Sequence, residues 1–436
     1  MKTVSQISEI RVKNSMRARF NPIKTLTPDS LSQMLDAFSA GYLKAAAMTW
    51  DAIERRDDVI CGVASKRKKS VARLTWEILS ADDSDLAKEQ RVALEYFYNN
   101  LSATHACDGN EAGGISLLVR QMMDAIGKRY AVHEIIFEPH ENPEAQENFQ
   151  SLQRKRRAPS TLLTATFRFV PLWFFENHDG RLKFLVNEGA TSGIPLEPGA
   201  WLITTGDGLM EACSIAYLFK HLPLRDWLVY CERNGMPGVK GVTDAVPGTE
   251  QWEAARDAVE DFGAEFNALM SAGTEISAID ISSKGELPYP KLIDRMDRAI
   301  SALWRGSDLA TLSRENSAGA SLQGDEMSLL EEDDAGVISE TLNAQVDKFV
   351  IKYLFGDVQQ KAYFKLIPDV RRNISEELNL YRELHRMGVP ISVSDMRERF
   401  NLTTPNDGEL MLVGSRTGGD ATSNVSGERN EKMEAR

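Results

Sequence analysis

The chain has 436 residues, with 51 Lys and Arg against 64 Asp and Glu, giving a formal net charge of −13. Hydrophobic residues make up 42% and charged residues 26%, enough to fill buried cores in about two to four domains. No apolar run reaches the roughly 18–20 residues that span a bilayer, and four scattered cysteines with no CxxC pair point away from disulfides and zinc. The first twenty residues hold no apolar signal core, so a reducing, non-secretory setting is expected. The acidic balance excludes a protein whose main task is gripping phosphates, though not one that DNA slides past.

Residues 1–26 are polar and basic and read as an arm. Thr27-Pro28-Asp29 then combines a hydroxyl cap, a first-turn proline and a first-turn acid. A helix is expected there, burying Leu31, Met34, Leu35, Phe38 and Tyr42. A second helix is expected over 52–71, with Lys66 to Lys69 on its wet side. Next come a strand over 74–79, helices over 86–99 and 115–126, and a strand over 130–138. Residues 139–160 read as an exposed excursion carrying Arg154-Lys155-Arg156-Arg157, and strands resume at 162–170, 174–176, 182–186 and 201–204.

The second half is more helical. A helix over 209–234 contains Pro223 and stops at Gly235; a short strand at 239–242 follows. The spacing of Trp252, Ala255, Val259, Phe262, Phe266 and Leu269 predicts one helix over 250–271 with a heptad-like packing seam. A strand at 276–281 and a helix from Leu292 to Leu303 come next. A stretch of low hydrophobicity at 313–321 precedes a long helix over 325–354. Helices at 375–387 and 394–400 close the folded part, and from Gly414 the composition is too polar to pack, so a disordered tail is expected.

Chemistry is sparse. His133-Glu134-Ile135-Ile136-Phe137 begins like a zinc-protease motif, but Phe137 replaces the second histidine and the segment reads as a strand. A histidine at a sheet rim is the plainer reading. There is no GxxxxGK[ST] and no GxSxG, and Gly206-Asp207-Gly208 reads as a helix-starting turn. Lys220 and His221 read as neighbours on a helix face. Glu331-Glu332-Asp333-Asp334 suggests a divalent-metal site less well than a solvated face. The basic runs at 66–69 and 154–157 lack the aromatics that stack on bases and read as surface or as subunit contacts. No catalytic constellation, cofactor loop or metal set emerges.

The order of several dispersed segments resembles the Mu-like family of bacteriophage portal proteins, over about residues 27–412. These are Arg56-Asp57-Asp58 with Ser65-Lys66-Arg67-Lys68-Lys69-Ser70-Val71 and Leu74-Thr75-Trp76-Glu77-Ile78, then Met123-Asp124-Ala125-Ile126-Gly127 with Val132-His133-Glu134-Ile135-Ile136-Phe137. Gly208-Leu209, Phe219-Lys220, Arg225-Asp226-Trp227 and Cys231-Glu232-Arg233-Asn234-Gly235-Met236-Pro237-Gly238 follow. Leu384-His385-Arg386-Met387-Gly388-Val389-Pro390-Ile391-Ser392 and Phe400-Asn401-Leu402 end the series. The match departs at Trp304-Arg305-Gly306-Ser307-Asp308-Leu309-Ala310-Thr311-Leu312, where the family has a short Gly-Gln-Thr-like segment.

The resemblance implies an α+β portal fold: an N-terminal arm at 1–26, an α/β wing at 27–205, helical stem segments at 206–235 and 286–304, and a small α/β clip at 236–285. It further implies a tunnel loop at 305–324, a long wing helix with its following segment at 325–374, crown-side helices at 375–412 and a tail at 413–436. Members form a ring, usually of twelve copies, at one vertex of the virion capsid. Double-stranded DNA is packaged and ejected through it without sequence recognition. Implied partners are the terminase, the major capsid and scaffold proteins and the head–tail connector proteins. No membrane or cofactor is involved, and the ring assembles in the host cytoplasm. Under that plan Arg305, Ser307, Arg314, Asn316, Ser317 and Gln323 would face DNA, and Trp252, Val259, Phe262 and Phe266 would pack the clip helix. Lys66, Arg67, Arg154 and Arg157 would offset repulsion between acidic subunits. Two other readings stand beside it: a phage enzyme using acids such as Glu331 and Asp334, and a monomeric head-assembly adaptor.

Overall fold

A computed structural model describes residues 23–140, 162–186, 190–235, 239–262, 267–271, 287–306, 317–368 and 374–392, with positions 394, 396, 397 and 400. The expected arm up to Pro22, the 139–160 excursion beyond His140, the 276–281 strand and the tail lie outside these residues. The chain divides into two compact units, 1–370 and 371–436.

The first unit opens with α1 (Pro28–Ser39), capped by Thr27, whose hydroxyl accepts the Ser30 N–H at 3.2 Å. The helix expected over 52–71 is instead two, α2 (Leu43–Arg56) and α3 (Asp58–Ala72). The break is at Asp57, which turns extended, caps α3 by accepting the Ile60 N–H at 2.9 Å, and is buried. β1 (Thr75–Ser80), α4 (Asp85–Asn100) and the hairpin β2 (Ser102–His105) and β3 (Asp108–Gly113) follow. The 115–126 helix is also split, into α5 (Ile115–Met122) and α6 (Asp124–Lys128), and it ends at Arg129 with φ +72° rather than at Gly127.

The strands β4 (Tyr130–His140), β5 (Leu162–Val170) and β9 (Trp201–Thr205) join the hairpin in a mixed five-stranded sheet of order β3-β2-β5-β4-β9. The antiparallel β4/β5 register aligns His133 with Phe169 and Phe137 with Ala165. His133 therefore lies inside the sheet rather than at its rim, and it is fully buried. β6 (Phe175–Glu176), β7 (Lys183–Phe184) and β8 (Ile194–Pro195) form a small separate sheet, in which Phe175 pairs with Phe184.

Gly206 carries the chain out of β9. A β-carbon there would sit 2.6 Å from the Ala125 backbone, so only glycine permits the close approach. The chain then enters α7 (Met210–Gly235), which runs through Pro223. β10 (Val239–Thr243), α8 (Glu250–Phe262) and β11 (Asn267–Ser271) make a small unit in which the two strands pair in parallel. The single helix expected over 250–271 thus stops at Phe262. Leu269, assigned to its seam, is in a strand, where the short apolar run Ala268-Leu269-Met270 pairs in parallel with β10; a run that short does not distinguish helix from strand by periodicity.

α9 (Pro288–Arg305) returns beside α7 and ends on Gly306, whose φ of +77° lets its N–H reach the Ala302 carbonyl at 2.9 Å. The following helix begins at Ser317 rather than 325. It runs as α10 (Ser317–Leu342), a π segment (Asn343–Asp347) and α11 (Lys348–Phe355). The last strand, β12 (Ala362–Ile367), had no counterpart in the sequence reading. It pairs antiparallel with β1 and stacks Phe364 on Trp76. One continuous core joins these elements, with Trp50, Phe97, Tyr98, Phe167, Trp304 and Phe364 among its largest buried side chains. In the second unit α12 (Ile374–Arg386) ends at Gly388 with φ +82°, and Tyr381 meets Phe400 edge-on.

Candidate functional site: a clamped helix pair

α7 and α9 pack against each other as an antiparallel pair, and the βαβ unit β10-α8-β11 connects their far ends. Their near ends are fixed to the body by charge. Lys220 on α7 reaches Asp297 on α9 at 2.7 Å, and Asp57 and Asp58 at the α2–α3 junction at 3.0 Å each. His221 lies 3.2 Å from the same Asp57. Burial disfavours the Lys220 ammonium, but three carboxylates outweigh it and hold its pKa above the ordinary lysine value. Burial likewise opposes the Asp57 charge, yet His221, the Ile60 N–H and Lys220 bring its pKa down to about 2. The two residues are neighbours on one helix face, as expected, and they join three elements.

A second clamp lies at the C-terminal end of α9. Arg67 donates to Asp334 on α10 through Nε at 2.7 Å and Nη2 at 2.9 Å, and through Nη1 to the Trp304 carbonyl at 3.3 Å. Both ionic side chains are buried, so a fork-to-fork pair ties α3, α9 and α10 together. A third cluster binds Lys68 to Glu54 and, at 2.8 Å, to Asp124, while Lys128 meets Asp124 at 3.0 Å. Burial is the largest influence on Asp124 too, but the two lysines keep it well below the usual carboxylate range.

Two of the basic residues expected on the surface are therefore spent inside the chain. Arg67 is not available to a neighbouring subunit, and Lys68 is not solvated, because α3 turns both toward carboxylates; Lys66 is exposed. The solvated face expected for 331–334 is likewise half wrong, since Glu331 and Asp334 are buried while Glu332 and Asp333 are exposed. Of the residues expected to face DNA, Arg305 ends α9 with Nη2 3.3 Å from Met327 Sδ, and Ser317 and Gln323 belong to helix α10 rather than a loop. Ser307, Arg314 and Asn316 fall outside the described residues, as do Arg154, Arg157 and Phe266. Trp252 is half-buried on α8, the helix that also carries Val259 and Phe262.

The π segment supplies two contacts that no motif announced. Gln345 donates to the Ile203 carbonyl at 2.8 Å and accepts the Ile203 N–H at 2.9 Å, covering the edge of β9 as a strand would. Asp347 accepts from the Tyr98 hydroxyl at 2.6 Å and the Phe364 N–H at 2.8 Å. Burial dominates over both bonds and pushes its pKa up to about 7. A carboxyl with a raised folded pKa binds a proton more readily folded than unfolded. Its ionisation therefore subtracts stability as pH rises from about 4 to about 7. Asp347→Asn, which mimics the protonated form, is expected to flatten that part of the pH–stability curve, with a gain near pH 7.5 of the order of 1–3 kcal/mol. Urea unfolding at pH 5 and 7.5 checks this; equal pH dependence in both proteins refutes it.

Chemistry for turnover does not converge. His133, whose ring nitrogens have no hydrogen-bond partner, is held neutral by burial with its pKa lowered to about 3. Among the described residues no three His, Cys, Asp or Glu side chains gather as a metal would require. A cleft of about 660 Å³ beside β7 and β8 is lined by Tyr130, Asn177, Asp179, Arg181, Lys183 and Ile203, where Asp179 and Lys183 form an ion pair with each other.

Comparison with known proteins bears on this arrangement. Residues 47–402 match the family described as "Portal protein of Mu bacteriophage". The portal protein of Escherichia phage Mu is 22% identical over 311 residues, which make up 69% of this chain and 56% of that protein; the alignment thus spans little over half of the relative. Among solved structures, a chain from the neck of a native gene transfer agent particle computed with C12 symmetry shares the fold. Its TM-score is 0.50 at 12% identity, covering 87% of this chain and 96% of that one.

Proposed function

Since this chain belongs to the Mu-type family of bacteriophage portal proteins, we propose that it assembles into a ring of about twelve copies at the portal vertex of a virion and serves as the passage for double-stranded DNA. The observation that carries this reading is the family match over residues 47–402. Supporting it is the helix pair α7/α9, clamped to an α/β body at one end and bearing a small βαβ unit at the other. In this reading 27–205 is wing, α7 and α9 are stem, 236–285 is clip, 305–324 borders the channel and 375–412 lies crownward. Ser307, Arg314 and Asn316 are the DNA-facing candidates, with Arg305 anchoring the segment, and Lys66, Arg154 and Arg157 remain the basic contacts between copies. Terminase, capsid and scaffold proteins, and later the tail connector, would dock on the ring, which forms in the host cytoplasm.

Physical chemistry favours such a role. Each phosphate contact releases counterions on forming and must be broken as DNA advances, so a conduit works best with few basic groups facing the helix. The net charge of −13 meets that need. The role is structural rather than enzymatic: an acidic active site at 331–334 loses its best member, since Asp334 is held by both arms of Arg67. Negative-stain class averages of the purified full-length chain, viewed down the symmetry axis, test the proposal. An annulus with a central hole and about twelve lobes is expected; particles that stay monomeric at every concentration overturn it.

A further inference from the structure

α7 leaves apolar side chains uncovered in a regular line. Ile215 and Phe219 are 41% and 51% exposed, Leu222 is half-buried, and Val229 is 40% exposed. Their positions follow steps of four, three and seven residues, the spacing of a narrow seam that meets another helix. Lys220 faces Asp297, and Cys213 lies beside Trp304, which fixes the antiparallel offset of α9. By that offset Arg298 lies level with Phe219 and Arg295 level with Leu222; both arginines are exposed. Arg298 pairs with Asp294 at 3.1 Å, a surface contact that a better partner can replace.

α10 carries a strip of opposite character. Leu329 is 62% exposed and Val337 39% exposed, and Gly336 between them has open space where a β-carbon would point. Glu332, Asp333 and Glu340 are exposed on the same face, at steps of three, four and eleven residues from Leu329. One strip is apolar with a basic margin, the other apolar with an acidic margin and a gap that admits a large side chain. They are different surfaces of one chain, so joining them copy to copy is a heterologous contact, the kind that closes into a ring.

We propose that the α7/α9 strip of each subunit seats on the α10 strip of the next, with Phe219 against the Leu329–Val337 face and Arg295 and Arg298 opposite Glu332 and Asp333. This rests on the ring reading and names the contact that closes it. The test uses the full-length chain, mass photometry and negative-stain imaging. Arg295→Glu/Arg298→Glu and Glu332→Lys/Asp333→Lys are each expected to raise the concentration for half-assembly at least tenfold, as is Phe219→Asp. The fourfold variant carrying both reversals is expected to recover rings, which separates a lost contact from a lost fold. Normal rings from both charge-reversed proteins, or no recovery in the fourfold variant, overturn the proposal while leaving the ring reading intact. A wild-type chain that never forms rings removes that reading itself.

Discussion

Lys220→Met is expected to destabilise the chain by about 3–5 kcal/mol and to free the near end of the helix pair from the body. The methionine keeps most of the packing volume but leaves Asp57 buried beside Asp297 with no cation between them, and removing one partner of a buried ionic set costs more than the set itself contributes. Urea unfolding measures the loss, and amide exchange should speed up locally over 213–224 and 293–301. Asp57 also gives the variant a pH signature. With its folded pKa lowered to about 2, this carboxylate contributes stability that is fully present above about pH 4 and is lost as pH falls toward 2. In Lys220→Met that acid-side loss should shrink. A variant with wild-type stability and an unchanged acid limb would show that the clamp is ornamental.

Arg67→Ala is expected to have an effect of similar size, for a related reason and with a sharper control. It removes three hydrogen bonds at once and leaves Asp334, whose side chain is 4% exposed, without its counter-charge. Burial already raises the Asp334 pKa against the pull of Arg67, so removing the guanidinium should raise it further. The double variant Arg67→Met/Asp334→Leu, apolar on both sides, should recover most of the loss. Lys66→Ala, one residue away and exposed, should change stability by no more than about 0.5 kcal/mol. Equal losses for Lys66→Ala and Arg67→Ala in thermal unfolding would contradict the assignment.

What could be read from the sequence follows the range of the interactions. Helix ends written in local chemistry were legible only in part: the Thr27 cap depends on neighbours within four residues, whereas the helix expected from Leu292 to Leu303 starts at Pro288 and runs to Arg305. The interruption at Asp57 was written there too, as a buried acid before an acid in the first turn of α3, but helical periodicity on both sides hid it. β12 escaped because its alternating burial makes sense only beside β1, which lies far earlier in the chain. The clamps were illegible for the same reason. Arg67 and Asp334 are 267 positions apart, and a basic run reads as solvated surface until the fold supplies the carboxylates. The family resemblance was legible because it rests on order rather than distance.

Gln345 has a consequence for how the protein is made. The flank of β9 that it covers is synthesised 142 residues before it, and β1 waits still longer for β12. On the ribosome the nascent chain therefore carries two unprotected strand flanks until residues 345–367 emerge, a window in which neighbouring nascent chains offer wrong partners. Late completion of the fold follows, and with it a dependence of yield on expression rate and temperature.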